Sequence, residues 1–138
     1  MVEKKYINFI EKLTKMTKDN LIKWEYLDST THLCQNMNWM EGDSGLLAIT
    51  GAISGKLERT YEFDRERSFY CKSNENYIVL YVTTGNPAIM FVIPPTFKKI
   101  IQLLPEDYGD YITRLLNLVE SQFPSADAFI DDFLKDEE

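Results

Sequence analysis

Apolar residues recur along this chain with two different periods, and the changes of period divide it into three stretches. Over residues 2–17, Tyr6, Ile7, Phe9, Ile10, Leu13 and Met16 recur at three- and four-residue steps, with Lys4, Lys5, Lys12 and Lys15 mostly off that line. Such spacing predicts an amphipathic helix. Lys18, Asp19 and Asn20 have the composition of a turn. Over 21–27, Ile22, Trp24 and Tyr26 alternate with Lys23 and Glu25, the pattern of a half-buried strand.

Residues 28–55 carry the weakest signal. Asp28 to Thr31 has capping residues for a short helix over 32–40, with Leu33, Cys34, Met37 and Met40 as its inner face. Residues 41–45 read as a loop. The apolar run 46–50 fits a strand or one turn of buried helix, because short apolar runs do not discriminate between them.

From residue 56 the period approaches two. Leu57, Arg59, Tyr61 and Phe63 fall on one side of a strand over 57–63, followed by a charged break at 64–67. Residues 68–72 form the next strand, and 73–76 have hairpin-turn composition. Residues 76–83 make the strongest strand, β-branched and aromatic on both faces, as a central strand would be. A turn over 84–87 leads to a strand over 88–93, ended by Pro94 and Pro95, which have no N–H to give a ladder. The three strands over 68–72, 76–83 and 88–93, in series with short polar turns, predict an antiparallel meander. Residues 97–104 read better as strand than as helix.

The last third returns to helical spacing. Pro105 suits a first helical position, with Glu106, Asp107 and Asp110 toward the positive end of the helix dipole. Tyr108, Tyr111, Ile112, Leu115, Leu116, Val119 and Phe123 form one apolar face. Pro124 breaks that helix and Ser125 can cap another, whose inner face would be Ala126, Phe129, Ile130, Phe133 and Leu134. The sum is a single α+β domain over 1–138: an antiparallel β-sheet of about four to five strands flanked by an N-terminal helix and C-terminal helices.

Charge sharpens this picture. Residues 1–23 hold six Lys against three acids, residues 24–104 seven basic against nine acidic, and residues 105–138 two basic against ten acidic. The net charge of −7 is therefore concentrated at the end. That balance argues against direct nucleic-acid binding, which needs clustered Lys and Arg. Within the final helix Asp127 and Asp131 fall on one flank of the apolar stripe, with Asp132 and Asp136 on the other. They are the candidate partner-binding residues. A basic partner would meet them as a phosphate-like array, and a purely solvated face is the bland counterpart.

Candidate chemistry is sparse. His32 is the one histidine and so the one base available to a nucleophile system. His32, Cys34 and the distant Cys71 make a weak zinc pattern. The glycines match no phosphate-cradling or dinucleotide fingerprint. The two cysteines read as buried thiols rather than a secreted disulfide framework. No apolar run reaches the roughly 18–20 residues of a membrane span, and the first residues lack a signal-peptide core. The chain is expected to be cytoplasmic, without catalytic residues, cofactor or metal.

Trp24-Glu25, the strand pair at 68–72 and 76–81, and the run from Arg114 through Phe123-Pro124 to Phe133-Leu134 resemble a loose group of small uncharacterised bacterial proteins. Those have an N-terminal helix, a meander and an Asp-rich, Phe- and Leu-bearing C-terminal end. The resemblance spans most of the chain except 28–55. Its motifs are structural, so it implies a fold and no activity. The expectation is a non-catalytic protein–protein interaction domain with another protein as partner and room for a homodimer. One alternative is an acidic inhibitor or immunity-type protein blocking a basic nucleic-acid-binding enzyme. Another is a small enzyme or ligand-binder with its site in 28–55.

Overall fold

The computed structural model describes residues 2–28, 32–41, 61–64, 66–83 and 85–135. In chain order these form α1 (Lys4–Lys18), β1 (Glu25–Tyr26), α2 (His32–Met37), β2 (Trp39–Glu41), β3 (Tyr61–Phe63), β4 (Phe69–Ser73), β5 (Asn76–Tyr81), β6 (Ile89–Ile93), β7 (Ile101–Leu103), α3 (Pro105–Ser121) and α4 (Ala126–Lys135). Five strands make an antiparallel sheet in the order β1-β4-β5-β6-β7. The α+β arrangement read from the sequence is the one observed.

β5 lies at the centre of the sheet, as its two apolar faces require. Ile78 and Leu80 point to one layer, and Val79 and Tyr81 to the other. The hairpin joining β4 to β5 turns on Asn74 and Glu75, both with positive φ (49° and 67°), and pairs Ser73 with Asn76. A two-residue turn with both centres left-handed matches the twist of the flanking strands.

α1 and α3 cover one face. The Glu3 N–H donates to Tyr108 Oη (2.9 Å), and Gln122 Nε2 donates to the Thr17 carbonyl (3.2 Å). N-terminal end meets N-terminal end, so the two helices run in the same direction. Ile10 and Leu13 of α1 and Ile112, Leu115, Leu116 and Val119 of α3 pack on Phe69, Cys71, Ile78, Leu80 and Met90 of the sheet. α3 begins with Pro105 at its first position and kinks at Tyr108 (φ −128°, ψ 15°), next to the weak helix former Gly109.

Four sequence expectations change. The strand over 21–27 pairs only at Glu25–Tyr26, although Ile22, Trp24 and Tyr26 share the helix-facing side as their alternation implies. The helix over 32–40 stops at Met37, because Asn38 turns left-handed (φ 58°) and Trp39 starts β2. β2 pairs with β3 in parallel, and Leu33, Cys34, Trp39 and Phe63 form the second core on the far face of the sheet. Strand pairing in 97–104 is confined to Ile101–Leu103, since Phe97 and Lys99 are left-handed (φ 58° each). The strand or helix expected over 46–50, and residues 57–60 of the next strand, lie outside the described residues.

Candidate interaction surface

α4 follows α3 after a short break at Pro124. The Ala128 N–H donates to Ser125 Oγ (3.2 Å), so Ser125 supplies the side-chain cap that the sequence suggests. From there the helix departs from expectation. Its apolar face was to cover the fold, yet none of its residues is buried. Phe129 is 68% exposed, Ile130 51%, Phe133 57% and Leu134 56%. At about 100° per residue these four and Ala126 fill an arc of roughly 140°. Only Ala128, on the opposite side, is less than exposed. The stripe therefore faces outward. The rings of Phe129 and Phe133, one turn apart, stack on each other at 6.1 Å. α1 and α3 close the helix-facing core, and no residue of α4 belongs to it.

Asp127, Asp131 and Asp132 are exposed on α4, and their positions on the helix place them on the two flanks of the stripe. Asp136 lies outside the described residues. Periodicity located the stripe and its acids, but it does not distinguish a covered face from an open one.

A cleft of about 770 Å³ opens at the root of α4. Its floor is a cluster of aromatic rings that sequence reasoning did not assemble. Tyr26 lies 5.0 Å from Phe69 and 4.8 Å from Phe123, and Phe69 lies 5.1 Å from Phe123. Arg67 Nε donates to Glu120 Oε1 at 3.0 Å along its wall. Both partners are substantially solvated, which limits such a pair to about 0–1 kcal/mol.

The described residues of the other candidate region show no site. His32 opens α2, exposed, with its ring edge-on to Phe97 at 6.0 Å. Cys34 and Cys71 form no disulfide and belong to cores on opposite faces of the sheet. Among the described residues no three His, Cys, Asp or Glu side chains come together to hold a metal ion. Residues 29–31 and 42–60, most of that region, lie outside the described residues. No helix among the described residues is long and apolar enough to cross a membrane.

Set beside protein-family models, curated proteins and solved structures, the chain matches none of them.

Proposed function

We propose that this is a non-catalytic protein–protein interaction domain of the bacterial cytoplasm, and that α4 is its docking element. The outward apolar stripe of Phe129, Ile130, Phe133 and Leu134 carries this reading. Scattered single apolar residues are ordinary on a protein surface. Four large ones on one helical face, rimmed by acids, have the composition of a helix that lies in a partner's groove. The bacterial and cytoplasmic parts of the reading rest on the sequence resemblance, the cysteine usage and the charge pattern.

The test places a photocrosslinking phenylalanine analogue at position 133 in the cell that makes the protein. The expected result is one discrete protein adduct that disappears when Phe129 is changed to Ser. No adduct, or one indifferent to Phe129→Ser, refutes the reading.

The acids on both flanks of the stripe favour a second reading, the acidic inhibitor of a basic nucleic-acid-binding enzyme. There the captured protein is a basic enzyme, and binding falls steeply with salt. Binding that survives conversion of Asp127, Asp131, Asp132 and Asp136 to Asn removes it.

A further inference from the structure

We propose that α4 docks onto a second copy of this chain, in the groove between α1 and α3, and that two copies exchange these helices reciprocally. This rests on α4 being a docking element and names its partner. The groove, about 290 Å³, has Ile10 and Tyr111 in its lining. Its rims are basic: Lys15 and Lys18 on α1, and Arg114 on α3, with Glu11 the one acid of the lining. The Arg114 guanidinium sits 5.9 Å from the centre of the Tyr111 ring. α4 is its complement, an apolar stripe with Asp127 and Asp131 on one flank and Asp132 on the other. An apolar ridge flanked by acids thus meets a groove flanked by bases, with the half-buried Tyr111 ring between them.

Charge placement favours this groove over a stripe-to-stripe pairing of two α4 helices. Stripe against stripe brings the aspartates of both copies together, and like charges at close range oppose association. Helix in groove sets the aspartates against Lys15, Lys18 and Arg114, with Glu11 the one like charge of the lining. Made twice, the contact draws on the stripes of both copies, about 400 Å² of apolar surface on each, given roughly 150–250 Å² for a whole aromatic side chain. A reciprocal exchange has two-fold symmetry and so closes without forming fibres.

The experiment is sedimentation velocity on the full chain at tens of micromolar and low salt, with two charge-reversed variants. In one, Asp127, Asp131 and Asp132 become Lys. In the other, Lys15, Lys18 and Arg114 become Asp. Wild type is expected to sediment as a dimer of the 16.1 kDa chain. Each variant alone is expected to be monomeric. An equimolar mixture is expected to dimerise again, because one of the two contacts is then wild type and the other is restored with its sign reversed. A monomeric wild type overturns the proposal, and so does a dimer indifferent to reversal of the groove. A monomer that still gives a single Phe129-dependent crosslink from position 133 overturns the second-copy assignment alone and leaves the interaction reading standing.

Discussion

Thr17 shows how one polar side chain organises the closure of the fold. It is fully buried on α1, where the helical stripe would be expected to carry an apolar residue. Its hydroxyl accepts the indole N–H of Trp24 at 2.9 Å, and its carbonyl accepts from Gln122. Trp24 is itself 2% exposed, so its N–H has no water to turn to. Thr17→Val keeps the shape and removes the acceptor. An unsatisfied buried donor costs about 1–3 kcal/mol, and the urea midpoint of the variant is expected to fall accordingly. A midpoint within error of wild type would show that the indole finds another partner. Ser68 has a similar place at the sheet end. It is buried, its hydroxyl accepts the Val82 N–H (3.0 Å), and its carbonyl accepts the Leu27 N–H (2.9 Å). Neither role is visible in a hydropathy pattern, because both depend on residues far along the chain or in another element.

At the scale of elements, legibility followed the range of the interactions. β5 could be placed centrally because Ile78, Val79, Leu80 and Tyr81 are all apolar, a property of the segment itself. The Asn74–Glu75 turn and the Pro105 start of α3 are likewise local chemistry. The parallel β2–β3 pair was not legible. Trp39 joins the second core only because Tyr81 and Phe91, each 5.0 Å from its ring, meet it from the sheet. The face of α4 was legible as a stripe and misread as core, because an apolar arc has the same period whether its partner is its own domain or another chain. α4 is thus an element whose removal should leave the rest intact. Ending the chain after Ser125 is expected to shift the urea midpoint by no more than about 0.5 kcal/mol of stability, the usual range for changes away from buried contacts. The comparison is made at a concentration where both chains are monomeric, since association would add its own stability. By contrast, Ile112→Ala in the fully buried face of α3 is expected to cost about 2–5 kcal/mol. A truncated chain that unfolds would mean that α4 is part of the core after all.

The whole molecule is a sheet between two cores, and alternation along β4 sends neighbouring residues into different ones. Cys71 faces the α1 and α3 layer, while Tyr70 packs against the layer of α2, β2 and β3. Burial pushes the Cys71 thiol from its ordinary 9.0 up to about 12. Burial, together with the hydrogen bond that Tyr70 Oη donates to Glu25 (2.9 Å), pushes the Tyr70 phenol from 10.0 to about 12. Both groups are neutral when protonated, so the fold holds its protons longer than the unfolded chain does. As pH rises past about 9 for the thiol and 10 for the phenol, the unfolded state releases protons that the folded state keeps. The unfolded chain then binds fewer protons, which makes stability fall as pH rises. The contribution of each group is complete below its unfolded value and is lost as pH climbs through about 12. Cys71 is thus the alkaline sensor of the helix-facing core, and Tyr70 that of its contact with Glu25 on β1. Urea midpoints measured from pH 8 to 12 are expected to decline for wild type. The decline is expected to flatten in part in Cys71→Ala and in part in Tyr70→Phe, each variant referenced to its own midpoint at pH 8. If the first variant keeps the full wild-type slope, the thiol is solvated and the helix-facing core is looser than its packing shows. If only the second does, the phenol is solvated and its hydrogen bond to Glu25 is not held.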